Sequence, residues 1–402
     1  MRRRIAVAVM ILGSLSLAAA GAFADGPAMV NWMHLSSKKG DIPAPGPSTQ
    51  QTASLVLDAD RDGVNDFFIA SRRKGASVLW YRRVKNGWMK YVIEESMLQV
   101  EAGGAYHDID GDGDLDIVFG ADGSDNRVWW WENPCPDYDP NRPWTRRLIK
   151  DGGANKHHDE MFGDFDGDGR AELVFWNQGA RKLFLADIPP DPKATQPWLL
   201  TAIYSWGTGR EHEGLAKADI DGDGNLDIIG GGRWFKHESQ TKFRCTVIDD
   251  AQRFTRSAAG QLKEGGLPEV VFVVGDGRGR LKWYECKGSP EESDSWIGHD
   301  LLGHDVVHGH SLDVVDINGD GKMDIFCGEM HTPGAGAECK LRVFYGDGGG
   351  GFSEQVISVG IGNHESRVAD LDGDGDLDIL DKPYTADTPR VDVWLNTGLV
   401  SK

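Results

Sequence analysis

Six short stretches of this chain gather oxygen-bearing side chains at positions 1, 3, 5 and 9 of a loop. They are Asp58, Asp60, Asp62 and Asp66; Asp108, Asp110, Asp112 and Asp116; Asp164, Asp166, Asp168 and Glu172; Asp219, Asp221, Asp223 and Asp227; Asp316, Asn318, Asp320 and Asp324; and Asp370, Asp372, Asp374 and Asp378. Each has glycine at position 6, which permits the tight turn that lets the acids surround one point. Carboxylates this close repel one another unless a cation lies between them. A hard, flexible, oxygen-only set, with a backbone carbonyl available at position 7, suits calcium better than magnesium. The last acid falls at position 9 rather than 12, so these are not EF-hands. Plain acidic turns would not need to recur in one register, so up to six structural Ca2+ ions are expected.

The same loops serve as a ruler for a second chemistry. Six residues before the first ligand position of each loop stand Thr52, Ala102, His158, Glu213, Thr255, His310 and His364, with His157 and His212 one residue earlier. Three of the chain's 12 histidines therefore share a register with a glutamate. Neutral imidazoles with a carboxylate suit a transition ion such as Zn2+ or Mn2+ better than calcium. A histidine next to a bound cation can also remove a proton beside a carbonyl or carboxylate while the cation steadies the enolate. His158, Glu213, His310 and His364 are the candidate catalytic residues, with His212, Lys382 and Tyr384 as further acid–base groups. Arg72, Arg73, Asn177, Gln178, Arg233, Glu329 and His331 fall in loops expected to rim the same face. The chain has no G-x-S-x-G elbow and no H-E-x-x-H helix, so serine hydrolase and zincin chemistry lack support.

These residues need elements that bring distant registers together. The loops begin at residues 58, 108, 164, 219, 316 and 370, and the one long interval contains a degenerate copy at Gln261–Glu269. There Gln261, Lys263 and Gly265 replace the first three ligands, and the Lys263 ammonium is expected to stand where the ion would. Each loop precedes an apolar run such as Ile117-Val118-Phe119, then an aromatic run such as Val128-Trp129-Trp130-Trp131, then in most repeats a fourth β-type run. Four short strands repeated about every 50 residues predict a β-propeller blade. The fold expected is all-β, a seven-bladed propeller of four-stranded blades over residues 25–402. The last repeat lacks its fourth strand, and Trp32-Met33-His34-Leu35 resembles the missing one, so an N-terminal strand is expected to close the last blade. The innermost strands start around the axis, so the histidine register should converge there, on the face opposite the acidic loops. Of Trp129, Trp130 and Trp131, most are expected in the core.

Arg2, Arg3 and Arg4, the apolar run from Ile5 to Ala20 and Ala22-Phe23-Ala24 form a signal peptide pattern over residues 1–24, so a periplasmic or secreted protein is expected. No later apolar stretch is long enough to span a membrane. The balance of 43 Lys and Arg against 63 Asp and Glu repels nucleic acid and anionic lipid. With 14 Trp and 15 Phe the chain has enough apolar surface to bury a core. Cys135, Cys245, Cys286, Cys327 and Cys339 lack metal-type spacing; an exported protein permits disulfides, and Cys327 with Cys339 is the expected pair.

The repeated DFDGDG followed by apolar residues resembles the FG-GAP or VCBS repeats of integrin-type propellers, across essentially the whole mature chain. That resemblance implies the fold and calcium but says little about activity. His157-His158-Asp159-Glu160 with Phe175-Trp176-Asn177-Gln178-Gly179, His308-Gly309-His310-Ser311-Leu312 and His364-Glu365-Ser366-Arg367 resemble the propeller domain of the aldos-2-ulose dehydratase family and its bacterial single-propeller relatives. This implies a metal-containing pocket that dehydrates oxidised sugars, without the cupin domains of the fungal enzymes. The expected function is a carbohydrate lyase or dehydratase acting by β-elimination on an oxidised sugar or uronate. The alternative is a non-catalytic propeller that binds a glycan or a protein.

Overall fold

The computed structural model describes residues 27–400 except 141 and 333. The signal peptide expected over residues 1–24 lies outside the described residues. Seven four-stranded antiparallel sheets follow one another along the chain. Blade one is Gln50–Leu57, Asp66–Arg73, Val78–Val84 and Gly87–Glu94, and blades two to six repeat that plan. Their innermost strands are Ala105–His107, His157–Gly163, Ala216–Ala218, Thr255–Gly260 and Ser311–Val315. Blade seven is Arg367–Ala369, Asp378–Asp381, Asp392–Leu399 and, from the other end of the chain, Val30–Ser36. The N-terminal strand pairs Met33 with Leu395 and Leu35 with Val393. Its Trp32 Nε1 donates to Gln355 Oε1 at 3.1 Å, and the His34 ring stacks on Trp394 at 3.9 Å. The ring is thus closed as expected, by a strand that joins the two ends of the chain.

Apolar side chains on both faces of each blade explain why a blade cannot stand alone. Trp129 and Trp131 pack toward Phe68, Trp80 and Phe119, while Trp130 faces Phe162, Leu173 and Phe175 on the other side. Alternation does separate the three tryptophans, yet all three are core, because blade two has a neighbour on each face. Between the described residues, no helix is long and apolar enough to cross a membrane.

The seven loops share one geometry, including the degenerate one. Position 6 has positive φ in every case, from 84° at Gly266 and Gly321 to 93° at Gly113, a region open to glycine. The position-nine acid is the anchor. Asp116 accepts from Ile109 N at 3.1 Å and from Asn133 N at 2.8 Å, tying its loop to the third strand. Asp324 and Asp378 repeat this through Ile317 and Gly346, and through Leu371 and Asn396.

Two sequence expectations are corrected. Lys263 does not occupy the fifth loop: its ammonium turns outward to Glu285, and the Gln261 side-chain amide bridges the loop instead, donating to Lys263 O at 2.6 Å and Gly265 O at 3.1 Å. An amide can fill the space because it brings its own donors. Cys327 and Cys339 are free thiols. Cys327 lies opposite Arg342 in the ladder, so Cys339 is three residues further along, about 10 Å away at strand rise. That exceeds disulfide reach.

Candidate functional site

Two kinds of site emerge, at opposite ends of the innermost strands. Four of the acidic loops gather three or more of their expected carboxylates around one point. Donor atoms of Asp164, Asp166, Asp168 and Glu172 lie within 4.8 Å of one another, as do those of Asp58, Asp60 and Asp62, of Asp108, Asp110 and Asp112, and of Asp219, Asp221 and Asp227. Buried oxygens of Asp221 and Asp372 have no hydrogen-bond partner. Burial, with further acids close by, pushes Glu172 and Asp227 up to about 7 and Asp116 up to about 8. Lys236, Lys193 and Arg82 each pair one loop (Asp221 and Asp223, Asp110, and Asp60), yet several close carboxylate oxygens remain in each of these loops, a set that fits a hard cation.

At the other end, the strand starts meet on the axis. His158 is the second residue of its strand, His310 directly precedes the Ser311–Val315 strand, and Glu213 and His364 lie three residues before theirs. All four side chains are buried. His158 Nε2 stands 3.4 Å from Glu213 Oε1, and His310 Nε2 stands 3.6 Å from Glu213 Oε2. Donor atoms of these three residues lie within 4.8 Å of one another, a spacing that could hold one ion. Glu213 Oε2 has no hydrogen-bond partner, while Gln178 Nε2 donates to Oε1 at 2.9 Å. Two imidazoles and a carboxylate, one oxygen unsatisfied, form a donor set of transition-metal type.

His364 is brought to the cavity but not to this cluster. Its ring lies against Tyr384, with centroids 4.7 Å apart, and its Nδ1 has no partner. Burial, then His310, Lys382, Arg72 and Arg256 in turn, hold His364 well below the ordinary imidazole range. For His158, burial opposes protonation, but Glu213 and Asp159 outweigh it and push the ring up to about 9. Tyr384 Oη accepts from Arg72 Nη1 at 2.9 Å, which leaves its own proton free to donate, and burial raises its phenol.

Two other expected acid–base residues are misplaced for that role. His212 is enclosed by Trp176, Tyr204 and Trp206, with its ring 4.4 Å from that of Trp206. It points into the blade because the following residue, Glu213, takes the axial direction. Lys382 is wholly buried, and its ammonium donates to Gln51 O at 3.0 Å and His364 O at 2.5 Å. It fixes the His364 backbone rather than meeting a ligand.

The cavity above these residues has a volume of about 290 Å³. Arg72, Glu101, Asp122, Lys156, Glu211 and Asp276 line its rim. Arg72 is paired with Glu101 and Asp122, and Lys156 with Glu211, so the cations are already engaged. Of the other expected rim residues, Gln178 supports Glu213, Arg233 is held by Gly231 O and Asp250, Glu329 pairs Arg342, and His331 Nδ1 bonds Gly360 O. A larger space of about 700 Å³ lies below, reached by Arg256, Ser257, Glu160 and Lys217, and His310 borders both.

Sequence reasoning missed the residues that separate these spaces. Asp159, Arg256 and Glu365 occupy the position after the histidine register, where strand alternation would turn them from the axis, and Glu160 occupies the next one. Nothing in their residue types announces the change, but the ruler extended by one or two positions finds them.

A seven-bladed propeller built on acidic loops is the class this architecture defines. Residues 108–175 and 164–230 match the FG-GAP-like repeat family, and the seven-bladed ring supports an FG-GAP/VCBS-type propeller. Among solved structures, the chain is similar to BBS1N crystallised in complex with ARL6DN and soaked with mercury, at 10% identity and a TM-score of 0.54, covering 91% of this chain and 97% of that one. The same complex soaked with lead gives 11% identity and a TM-score of 0.53, with 91% and 97% covered. The V. cholerae biofilm matrix protein Bap1 matches at 11% identity and a TM-score of 0.48, with 88% and 89% covered. No curated protein matches the chain.

Proposed function

We propose that this is an exported propeller, held by calcium at its acidic loops, that dehydrates an oxidised sugar in the axial cavity. The observation that carries the proposal is the convergence of donor atoms of His158, Glu213 and His310 from three blades within 4.8 Å, beside a cavity that His364 lines. Zn2+ or Mn2+ held by these three residues supplies Lewis acidity to a substrate carbonyl.

The protein side chains divide the remaining work. His364, neutral and with Nδ1 unpartnered, takes the proton from the carbon beside the carbonyl. The carbon–oxygen bond one carbon further breaks, and the Tyr384 phenol gives its proton to the departing hydroxyl, which leaves as water. Arg72 orients that phenol. The electron pair of the broken C–H bond becomes the new carbon–carbon double bond. The acids of the rim outnumber its cations, and each cation is already paired. A neutral, hydroxyl-rich carbonyl sugar is therefore favoured over a polyuronate, and the carboxylates accept its hydroxyls.

The test combines metal analysis of the purified protein with turnover of neutral oxo-sugars, followed by the ultraviolet absorbance of the conjugated carbonyl product. His310→Ala is expected to lose the ion and the turnover while keeping the fold. Sugar binding that is equal in parent and variant, with no turnover by either, would favour a non-catalytic glycan-binding propeller.

A further inference from the structure

The two histidines that face Glu213 each have a carboxylate on their other ring nitrogen. Asp159 Oδ2 is hydrogen-bonded to His158 Nδ1 at 2.7 Å, whereas Glu365 Oε1 faces His310 Nδ1 at 3.4 Å, an ion-pair distance without a formed hydrogen bond. Asp159 and Glu365 occupy equivalent places in blades three and seven, five residues before the first acid of their loops. Both adopt left-handed backbone, with φ of 52° and 53°. For residues other than glycine that conformation is strained. Its structural effect is visible in blade three, where strand pairing slips between His158 and Glu160. The slip turns the residue after the histidine toward the axis, against strand alternation.

One guanidinium joins the two carboxylates. Arg256 Nη2 and Nη1 contact Asp159 Oδ1 and Oδ2 at 2.8 and 3.0 Å, and Nη2 also contacts Glu365 Oε1 at 2.6 Å. It comes from blade five, the blade whose loop lost its first three acids. Asp159, Glu365 and Arg256 are all buried. Burying these charges is expensive and is seldom repaid in stability alone. Two strained backbones and a buried ionic bridge, assembled from three blades around two imidazoles, point to a task at those imidazoles.

We infer that Asp159, Glu365 and Arg256 are positioning residues that hold a proton on Nδ1 of His158 and His310, so that both Nε2 atoms present their lone pairs to one divalent ion beside Glu213. The identity of the ion rests on the proposed function; the ring orientation does not. A carboxylate behind a ligating histidine fixes its tautomer and raises its basicity, and its loss commonly weakens metal binding about 10–100-fold. Arg256 makes the two pairs one unit, because its planar fork meets Asp159 with two nitrogens while reaching Glu365. Lysine, a point charge, cannot reproduce that geometry.

The experiment uses the full mature chain in calcium, with Co2+ as the probe. Asp159→Asn and Glu365→Gln are each expected to weaken Co2+ binding about 10–100-fold and to alter its visible spectrum. Arg256→Lys should do the same while disturbing both rings. In the metal-free parent, heteronuclear NMR of the histidine rings should place a proton on Nδ1 of His310, and Glu365→Gln should move the tautomer balance toward Nε2. Parent-like Co2+ affinity and spectrum in both carboxylate variants, with Glu213→Gln losing the ion, would overturn the positioning role while leaving the metal site standing. A parent that takes up no Co2+ would overturn the metal site itself. An Nε2-protonated His310 in the metal-free parent overturns the positioning role in either case. If Arg256→Lys fails to fold by circular dichroism, the two carboxylate variants decide.

Discussion

The imidazole of His364 lies parallel to that of His310, with ring centroids 4.3 Å apart and planes 12° from coplanar. Two imidazolium ions would not stack so closely in a buried site. Burial, with Lys382 and Arg72 nearby, keeps the His364 ring neutral. His364→Ala should therefore lower dehydration by about 100- to 10,000-fold, the usual contribution of a general base, while the ion bound by His158, Glu213 and His310 is retained. Turnover and metal content measured on the same preparation check this. Loss of the ion along with activity would move His364 from base to metal support.

Removing calcium should matter more at high pH. Burial first, and neighbouring acids after it, push Asp66, Glu172, Asp227, Asp324 and Asp378 up to about 7 and Asp116 up to about 8 in the cation-free fold. Each folded-state pKa is raised above its unfolded value, so the native state holds extra protons between roughly pH 4 and these values. That contribution is full below the unfolded pKa and is lost as pH rises through the folded one. Cation binding replaces the protons. A chelator should therefore depress the melting temperature more at pH 8 than at pH 5, as followed by scanning calorimetry; an equal depression at both would count against cation sites in these loops.

The fifth loop should be indifferent to calcium. The Gln261 amide bridges it through two carbonyls. Gln261→Leu should lower stability by roughly 1 kcal/mol, since the bonds are exposed and net hydrogen bonds are modest. The loss should be the same with and without chelator in denaturant titrations. A loss seen only in calcium would show that this loop also binds the ion.

Deleting residues 29–36 should lower the melting temperature sharply, by about 10 °C or more, because opening the ring bares the edge of Asp392–Leu399 and uncovers Trp394. An unchanged melting curve would refute the role of the N-terminal strand as the clasp.

Cys327 and Cys339 should resist alkylation in the folded protein and react once it unfolds. Both are buried, and burial pushes their thiols up to about 12 and about 11. Mass spectrometry after labelling checks this, and labelling that appears only after reduction would reveal a disulfide.

Much of the molecule was legible because it repeats. The period and the position-six glycine recur in all seven loops, so local turn chemistry counted the blades and exposed the fifth as degenerate, and the missing fourth strand of the last repeat pointed to the N-terminal strand. The same register placed His158, Glu213 and His310 together across more than 150 residues of chain, because equivalent positions in a closed ring must meet at its axis. The sequence also left errors that only packing corrected. His212 and Lys382 looked as available as their neighbours, yet one is enclosed by aromatic rings and the other is consumed by backbone carbonyls. Asp159 and Glu365 lie inside motifs the sequence singled out, yet neither they nor Arg256 gained a role, because strand alternation assigns them away from the axis. A left-handed backbone at Asp159 and Glu365 reverses that assignment, and residue identity does not encode such a φ outside glycine. Sequence determined which positions circle the axis; the tertiary structure decided which side chains point into it, since that depends on backbone strain that only neighbouring blades can hold in place.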